Sequence, residues 1–164
     1  MKPTTLTLEA TSAQPTVRGR YLYGTLELPA SHYEIADFLQ RMRISENADQ
    51  NLELTVVDCP SLSELPGTRF DCPTIAEMNA FAWRLAGLDG VDQAVLAALF
   101  RKLCEKEDDI ISLKDLINLT YGLQNVVIAA NIHSDEELGQ LVIENGMHDD
   151  VAGVPENARY LLDK

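Results

Sequence analysis

Residues 21–42 read YLYGTLELPASHYEIADFLQRM, and within them the period of the apolar positions changes from two to about 3.6. YLYGTLEL alternates as a strand does, with Gly24 marking a bulge or a close backbone approach. Pro29-Ala30 ends it. Ser31 then opens a helix with Glu34 at the capping-box position, and Ile35, Phe38, Leu39 and Met42 form the stripe to be buried. Upstream, residues 4–11 alternate with Leu6 and Leu8 on one side and Thr5, Thr7 and Glu9 on the other, and the following SAQPTVRGR is turn-rich. Downstream, the polar gap SENADQN leads to a further strand, LELTVV, at residues 52–57. Strand, strand, helix, strand predicts a small antiparallel sheet crossed by one helix, so the class is α+β. Residues 60–73, with Pro60, Pro66, Gly67 and Pro73, read as the linker that follows.

From Thr74 the helical period takes over. Thr74 and Glu77 make a second capping box, and Ile75, Met78, Phe81, Ala82 and Leu85 share a face that Gly87 closes. Asp89 starts the next helix, with Val91, Val95, Ala98, Leu99 and Leu103 at helical spacing before the charged run EKEDD at residues 105–109. The pair reads as an αα-hairpin with Trp83 as a core anchor. Ser112 caps SLKDLINLTYG, in which Leu113, Leu116, Ile117 and Thr120 lie on one face and Gly122 is the stop. NVVIAA at residues 125–130 is of strand type, and a lone strand requires partners for its backbone groups. In IHSDEELGQLVIENGMHDDVAGVPENARYLL, residues 132–162, Ser134 and Glu137 mark a helix start. Leu138, Leu141 and Val142 are its apolar stripe, Asn145-Gly146 its stop, and Val154-Pro155 begins a last helical turn or two. The expected organisation is an elongated chain of three small domains: 1–66, a sheet plus helix; 67–109, helical; and 110–164, acidic and α+β.

A formal charge of −13 and a pI near 4.5 argue against a phosphate backbone or an anionic membrane as the direct ligand. The acids are unevenly shared, for residues 105–164 hold thirteen of the 26 acids and only four of the 13 bases. Asp135, Glu136 and Glu137 fall in one first helical turn, where the positive end of the helix dipole favours them. With Glu144, Asp149 and Asp150 they are the candidate partner-binding carboxylates. The plainer reading of the same residues is the solvated face of a capped helix. The first residues lack the apolar core of a signal peptide and no apolar run approaches a membrane span, so the expectation is a cytoplasmic protein. Cys59, Cys72 and Cys104 are odd in number and widely spaced, in keeping with neither a disulfide framework nor zinc spacing but with buried thiols in a reducing compartment.

Catalysis requires a nucleophile with its base, a metal cage or a phosphate cradle, and no G-x-S-x-G, H-E-x-x-H or glycine-rich strand-to-helix loop occurs. His32, His133 and His148 sit in separate polar segments. His148 beside Asp149-Asp150 is the nearest approach to a cation site, and it reads as loop polarity. The expectation is a protein that is not an enzyme, with no catalytic residue, no metal and no cofactor.

The order of these pieces is similar to that of the ArdA antirestriction proteins, in particular the divergent branch of conjugative elements, from about Tyr23 onward. The residues that carry the resemblance are GTLELP at 24–29, LPGTRFDCPTIAEMNAF at 65–81, SLKDLINLTYGL at 112–123 and NIHSDEELGQLVIENG at 131–146. Leu141, Glu144, Gly146, Pro155, Tyr160 and Asp163 fall where the family has its antirestriction stretch. The resemblance implies an elongated three-domain protein that imitates the bend and charge of B-form DNA. Such a protein occupies the DNA channel of type I restriction-modification enzymes, pairs as a homodimer through its last domain, and protects the DNA of a plasmid or conjugative transposon. In the family the chain continues into closing strands past the place of Lys164, so the last domain is expected to be incomplete here. The alternative is an acidic scaffold module of a mobile element with some other basic partner.

Overall fold

Alternation in the first strand becomes β1, Leu6–Ser12, whose Leu6, Leu8 and Ala10 are fully buried while Glu9 faces solvent. β1 is the centre of a three-stranded antiparallel sheet of order β2-β1-β3, with β2 at Tyr23–Leu28 and β3 at Leu52–Asp58. The computed structural model describes residues 5–16, 18–44, 52–105, 110–126, 132–145 and 147. They fall in two compact units, Met1–Val126 and Val127–Lys164. The mixed helices, the antiparallel sheet and a short parallel strand pair make the fold α+β.

Gly24 resolves to a close approach. It pairs in regular register with Ala10, and a Cβ there would lie 3.2 Å from both Met42 Sδ and Phe38 Cε2. The irregularity of the sheet lies instead on β3, where the register against β1 shifts between Thr7 and Leu8. Helix α1, His32–Arg41, can therefore lay Phe38 and Met42 directly on the β2 backbone. Its start is the expected capping box: Ser31 Oγ accepts from the Glu34 N–H, and the Glu34 carboxylate accepts from the Ser31 N–H at 2.6 Å. Its end is a Schellman turn, with the Arg43 N–H donating to the Gln40 carbonyl and the Ile44 N–H to that of Leu39. Arg43 occupies the left-handed position at φ 56° that a glycine more often takes. Phe38, Leu39 and Met42 are buried and Ile35 is half-buried.

Helix α2, Ile75–Ala86, runs through the centre of the first unit. Its box closes as expected between Thr74 and Glu77, and all five expected stripe residues, from Ile75 to Leu85, are buried. Two polar contacts tie it to the sheet. Thr5 Oγ1, buried in the first strand segment, lies 3.1 Å from the Leu28 and Ala82 carbonyls, to which its single proton can be donated in turn. Asn79 uses its side-chain amide as a substitute strand: Oδ1 accepts from the Ala30 N–H at 2.7 Å and Nδ2 donates to the Ala30 carbonyl at 3.0 Å. Asn79→Ala leaves both Ala30 backbone groups without these partners, and Ala30 is buried. A loss of about 2 kcal/mol is expected. Urea unfolding checks it; a change below about 0.5 kcal/mol, the size of an ordinary surface substitution, would show that water replaces the amide without penalty.

Helices α3, Gly90–Cys104, and α4, Leu113–Leu119, complete the first unit. Asp89 Oδ1 accepts from the Val91 and Asp92 N–H groups, and Ser112 Oγ from that of Asp115. Arg84, at the end of α2, donates from Nη2 to the Thr120 carbonyl and from Nε to Thr120 Oγ1, with its guanidinium 3.9 Å from the Tyr121 ring centroid. Arg101 of α3 donates from Nε to Glu64 at 2.7 Å, which holds that carboxyl below the usual carboxylate range.

Several expectations are corrected. Residues 60–73 are not a plain linker, because Leu62 and Leu65 are buried in the main core and Arg69–Phe70 forms β4. β4 pairs in parallel with β5, Ile110–Ile111, a strand the alternation rule could not detect in two residues. Trp83 is 49 % exposed, since the buried stripe of α2 passes through Phe81 and Leu85 and leaves position 83 on the far side. The buried set of α3 is Val95, Leu96 and Phe100; Ala98 and Val91 are exposed. Its sequence is apolar on several sides, so tertiary packing chose the face. Of the thiols only Cys59 is buried; Cys72 and Cys104 are exposed. Burial pushes the Cys59 thiol up. One core runs from Leu6 to Leu123 across residues 66–67 and 109–110, where domain boundaries were expected. Asn125 ends a 3-10 turn, Leu123–Asn125, and residues 127–130 of the expected strand lie outside the described residues, as does the final helix at 154–162. No helix among the described residues is long and apolar enough to cross a membrane.

Candidate functional site

Of the six carboxylates singled out, Asp135, Glu136, Glu137 and Glu144 belong to helix α5, Asp135–Asn145, and all four are exposed. Asp149 and Asp150 lie outside the described residues, with His148. The start of α5 is built by its own acids. Ser134 Oγ accepts from the Glu137 N–H at 3.2 Å, while Glu137 Oε2 accepts from the His133 N–H at 2.7 Å. The reciprocal bond thus reaches one residue further back than a standard capping box. Glu137 is consequently a structural residue as well as a charge. Asp135 and Glu136 take no part in that cap, and three acids in the first turn add to the favourable interaction with the helix dipole. At the other end Gln140 Nε2 donates to Glu144 Oε1 at 2.6 Å, orienting that carboxylate along the helix.

Successive helical residues turn by about 100°, so Asp135, Glu136 and Glu137 fan around the first turn and only Glu137 and Glu144 share one side. Those two stand roughly 10 Å apart along the axis. The apolar stripe is less covered than expected: Leu138 is 46 % exposed, Leu141 and Val142 are half-buried, and no described residue of α5 is fully buried. The described ion pairs are Arg41–Asp37 and Arg101–Glu64, both in the first unit. No cation is therefore paired with Asp135 or Glu136 among the described residues.

A second set of acids was missed because register, not sequence position, brings it together. On the open face of the sheet, Glu27 stands opposite Thr7, Glu9 opposite Thr25 and Thr55, and Glu53 opposite Thr11. Reading across β2, β1 and β3, the three glutamates advance two residues per strand and form a diagonal row, with neighbours roughly 7–8 Å apart at the backbone. All three are exposed, and the residues around them are Thr7, Thr11, Thr25 and Thr55, with no base on that face of the three strands. Strand alternation could have placed each glutamate on the solvent face; only the pairing aligns them. What such surfaces offer chemically is an array of fixed negative charges with hydroxyl donors and acceptors, suited to a cationic partner surface. Among the described residues no group of three or more His, Cys, Asp or Glu is placed to hold a metal ion. No family model, no curated protein and no solved structure matches the chain.

Proposed function

We propose that the protein is a non-enzymatic antirestriction protein of the cytoplasm, an acidic DNA decoy for the basic channel of type I restriction-modification enzymes, of use to incoming mobile DNA. The observation that carries this reading is the exposure of the α5 acids, with Asp135 and Glu136 side by side in the first helical turn. The row of exposed glutamates on the sheet adds negative charge on the first unit. The resemblance of the order of sequence pieces to the ArdA-like proteins is what supports this class of target. A long-range field of this sign accelerates encounter with a basic surface and repels duplex DNA.

The test is a DNA-cleavage assay with a purified type I enzyme and the full chain as inhibitor. Inhibition is expected to be relieved by excess duplex of unrelated sequence and to weaken steeply with salt, as displacement from a phosphate-binding channel requires. The chain itself should shift no duplex in a gel. Inhibition indifferent to competing duplex, or direct binding of random duplex by the chain, would overturn the decoy reading.

A further inference from the structure

The first unit also holds an open cleft of about 900 Å³ between the outer edge of β3 and the segment that leads into β4. The direction of the β3 backbone follows from its neighbours. The Ser12 N–H is donated to the Leu22 carbonyl on the β2 side, so the backbone of its pair partner Leu52 turns outward. Four residues on, the Val56 carbonyl accepts from the Gly67 N–H at 3.0 Å, again outward. Leu54, between them, has the same sense. Beyond Gly67 the chain leaves β3, and Phe70 lines the cleft with its own backbone turned away from β5. That orientation follows from the Asp71 N–H donating to the Ile111 carbonyl and from the pairing of Arg69 with Ile110. Among the described residues the outward N–H and C=O groups of Leu52, Leu54 and Phe70 have no hydrogen-bond partner. Leu52 and Leu54 thus present strand donors and acceptors at strand spacing along the cleft, and Phe70 adds a further pair on its wall.

We propose that the cleft takes an extended peptide segment of a partner protein as a fourth strand along β3. Its apolar side chains meet Leu54, Phe70 and Ile110; its alternate side chains are basic and lie on the open face beside Glu53. The strand form of the occupant follows from the backbone groups, which only another extended backbone satisfies in series. Its charge follows from complementarity. The open face that an added strand continues carries Glu53, Glu9 and Glu27, while Arg69 is the one base lining the cleft among the described residues, in a chain of net charge −13. The solvent-side residues of the added strand therefore extend the glutamate row with cations. This inference does not rest on the decoy reading: it concerns the backbone edge of β3 and a peptide occupant, and has in common with that reading only the glutamate row.

A synthetic peptide alternating valine and lysine, titrated into the isotope-labelled full chain and followed by NMR, tests it. The amide signals of Leu52, Leu54 and Phe70 are expected to shift and to exchange more slowly with solvent when the peptide is present. Methylating every second peptide nitrogen removes the donors of one edge only. One of the two methylated peptides should lose about tenfold or more in affinity, while the other binds like the parent. A valine–glutamate peptide should bind more weakly than either. The proposal is overturned by shifts confined to α5 or to the open face, by equal binding of both methylated peptides, or by no perturbation of the three amides. It is also overturned if these amides become protected without peptide as the protein concentration rises, which would assign the edge to a second copy of the chain.

Discussion

Reversing Glu136, Glu137, Glu144, Asp149 and Asp150 to Lys is expected to abolish inhibition of a type I restriction enzyme. Each reversal adds two charges, so the five take the net charge from −13 to about −3 and place a basic patch where, on the proposed decoy mechanism, the basic channel docks. Most of the loss should appear in association, slowed by about ten- to a thousandfold at low salt, because the long-range field guides encounter. The structure refines the variant. Glu137 accepts from the His133 N–H and so helps to start α5, and its reversal removes a cap together with a charge. A companion variant that keeps Glu137 and reverses Asp135 in its place separates the two effects. Inhibition kinetics of both, beside circular dichroism of each, make the measurement. A folded companion variant that inhibits as the parent does would remove α5 from the mechanism. Reversal of Glu9, Glu27 and Glu53 then asks whether the sheet face carries the charge instead.

Phe81→Ala is the substitution expected to damage stability most. Phe81 is fully buried at the middle of α2, in the core that joins the sheet to α3 and α4. Truncation of a buried phenylalanine costs about 3–5 kcal/mol, set against a total of roughly 5–15 kcal/mol for a domain. The first unit should be close to unfolding at 37 °C. Trp83→Ala, two residues further along the same helix, removes a larger side chain that is half in solvent and should cost under half as much. Denaturant midpoints of the two variants compare them directly. The opposite ranking would mean that Trp83 is the anchor its residue type suggests.

What the sequence determined by itself is what neighbours within about four positions decide. The capping pairs Ser31 with Glu34 and Thr74 with Glu77, and the caps at Asp89 and Ser112, form because each side chain reaches a backbone N–H two or three residues away. The alternation of Leu6, Leu8 and Ala10 and the five-residue stripe of α2 are legible for the same reason, since one periodicity sorts each element into an inner and an outer face. The acidic character of residues 105–164 is likewise written in the composition.

Tertiary structure alone decided what depends on distant partners. β4 and β5 are two residues each and exist only because Arg69 and Phe70 meet Ile110 and Ile111 from some forty positions away. Leu62 and Leu65 are drawn into the core from a stretch whose prolines and glycine advertise a linker, because turn residues govern the backbone path and not where the leucines between them come to rest. The face of α3 and the exposure of Trp83 were open to packing, which assigns the interior by shape and not by hydrophobicity alone. The glutamate row and the cleft beside β3 are the functional counterparts of this: each acid and each backbone group is present in the sequence, but strand register sets them side by side.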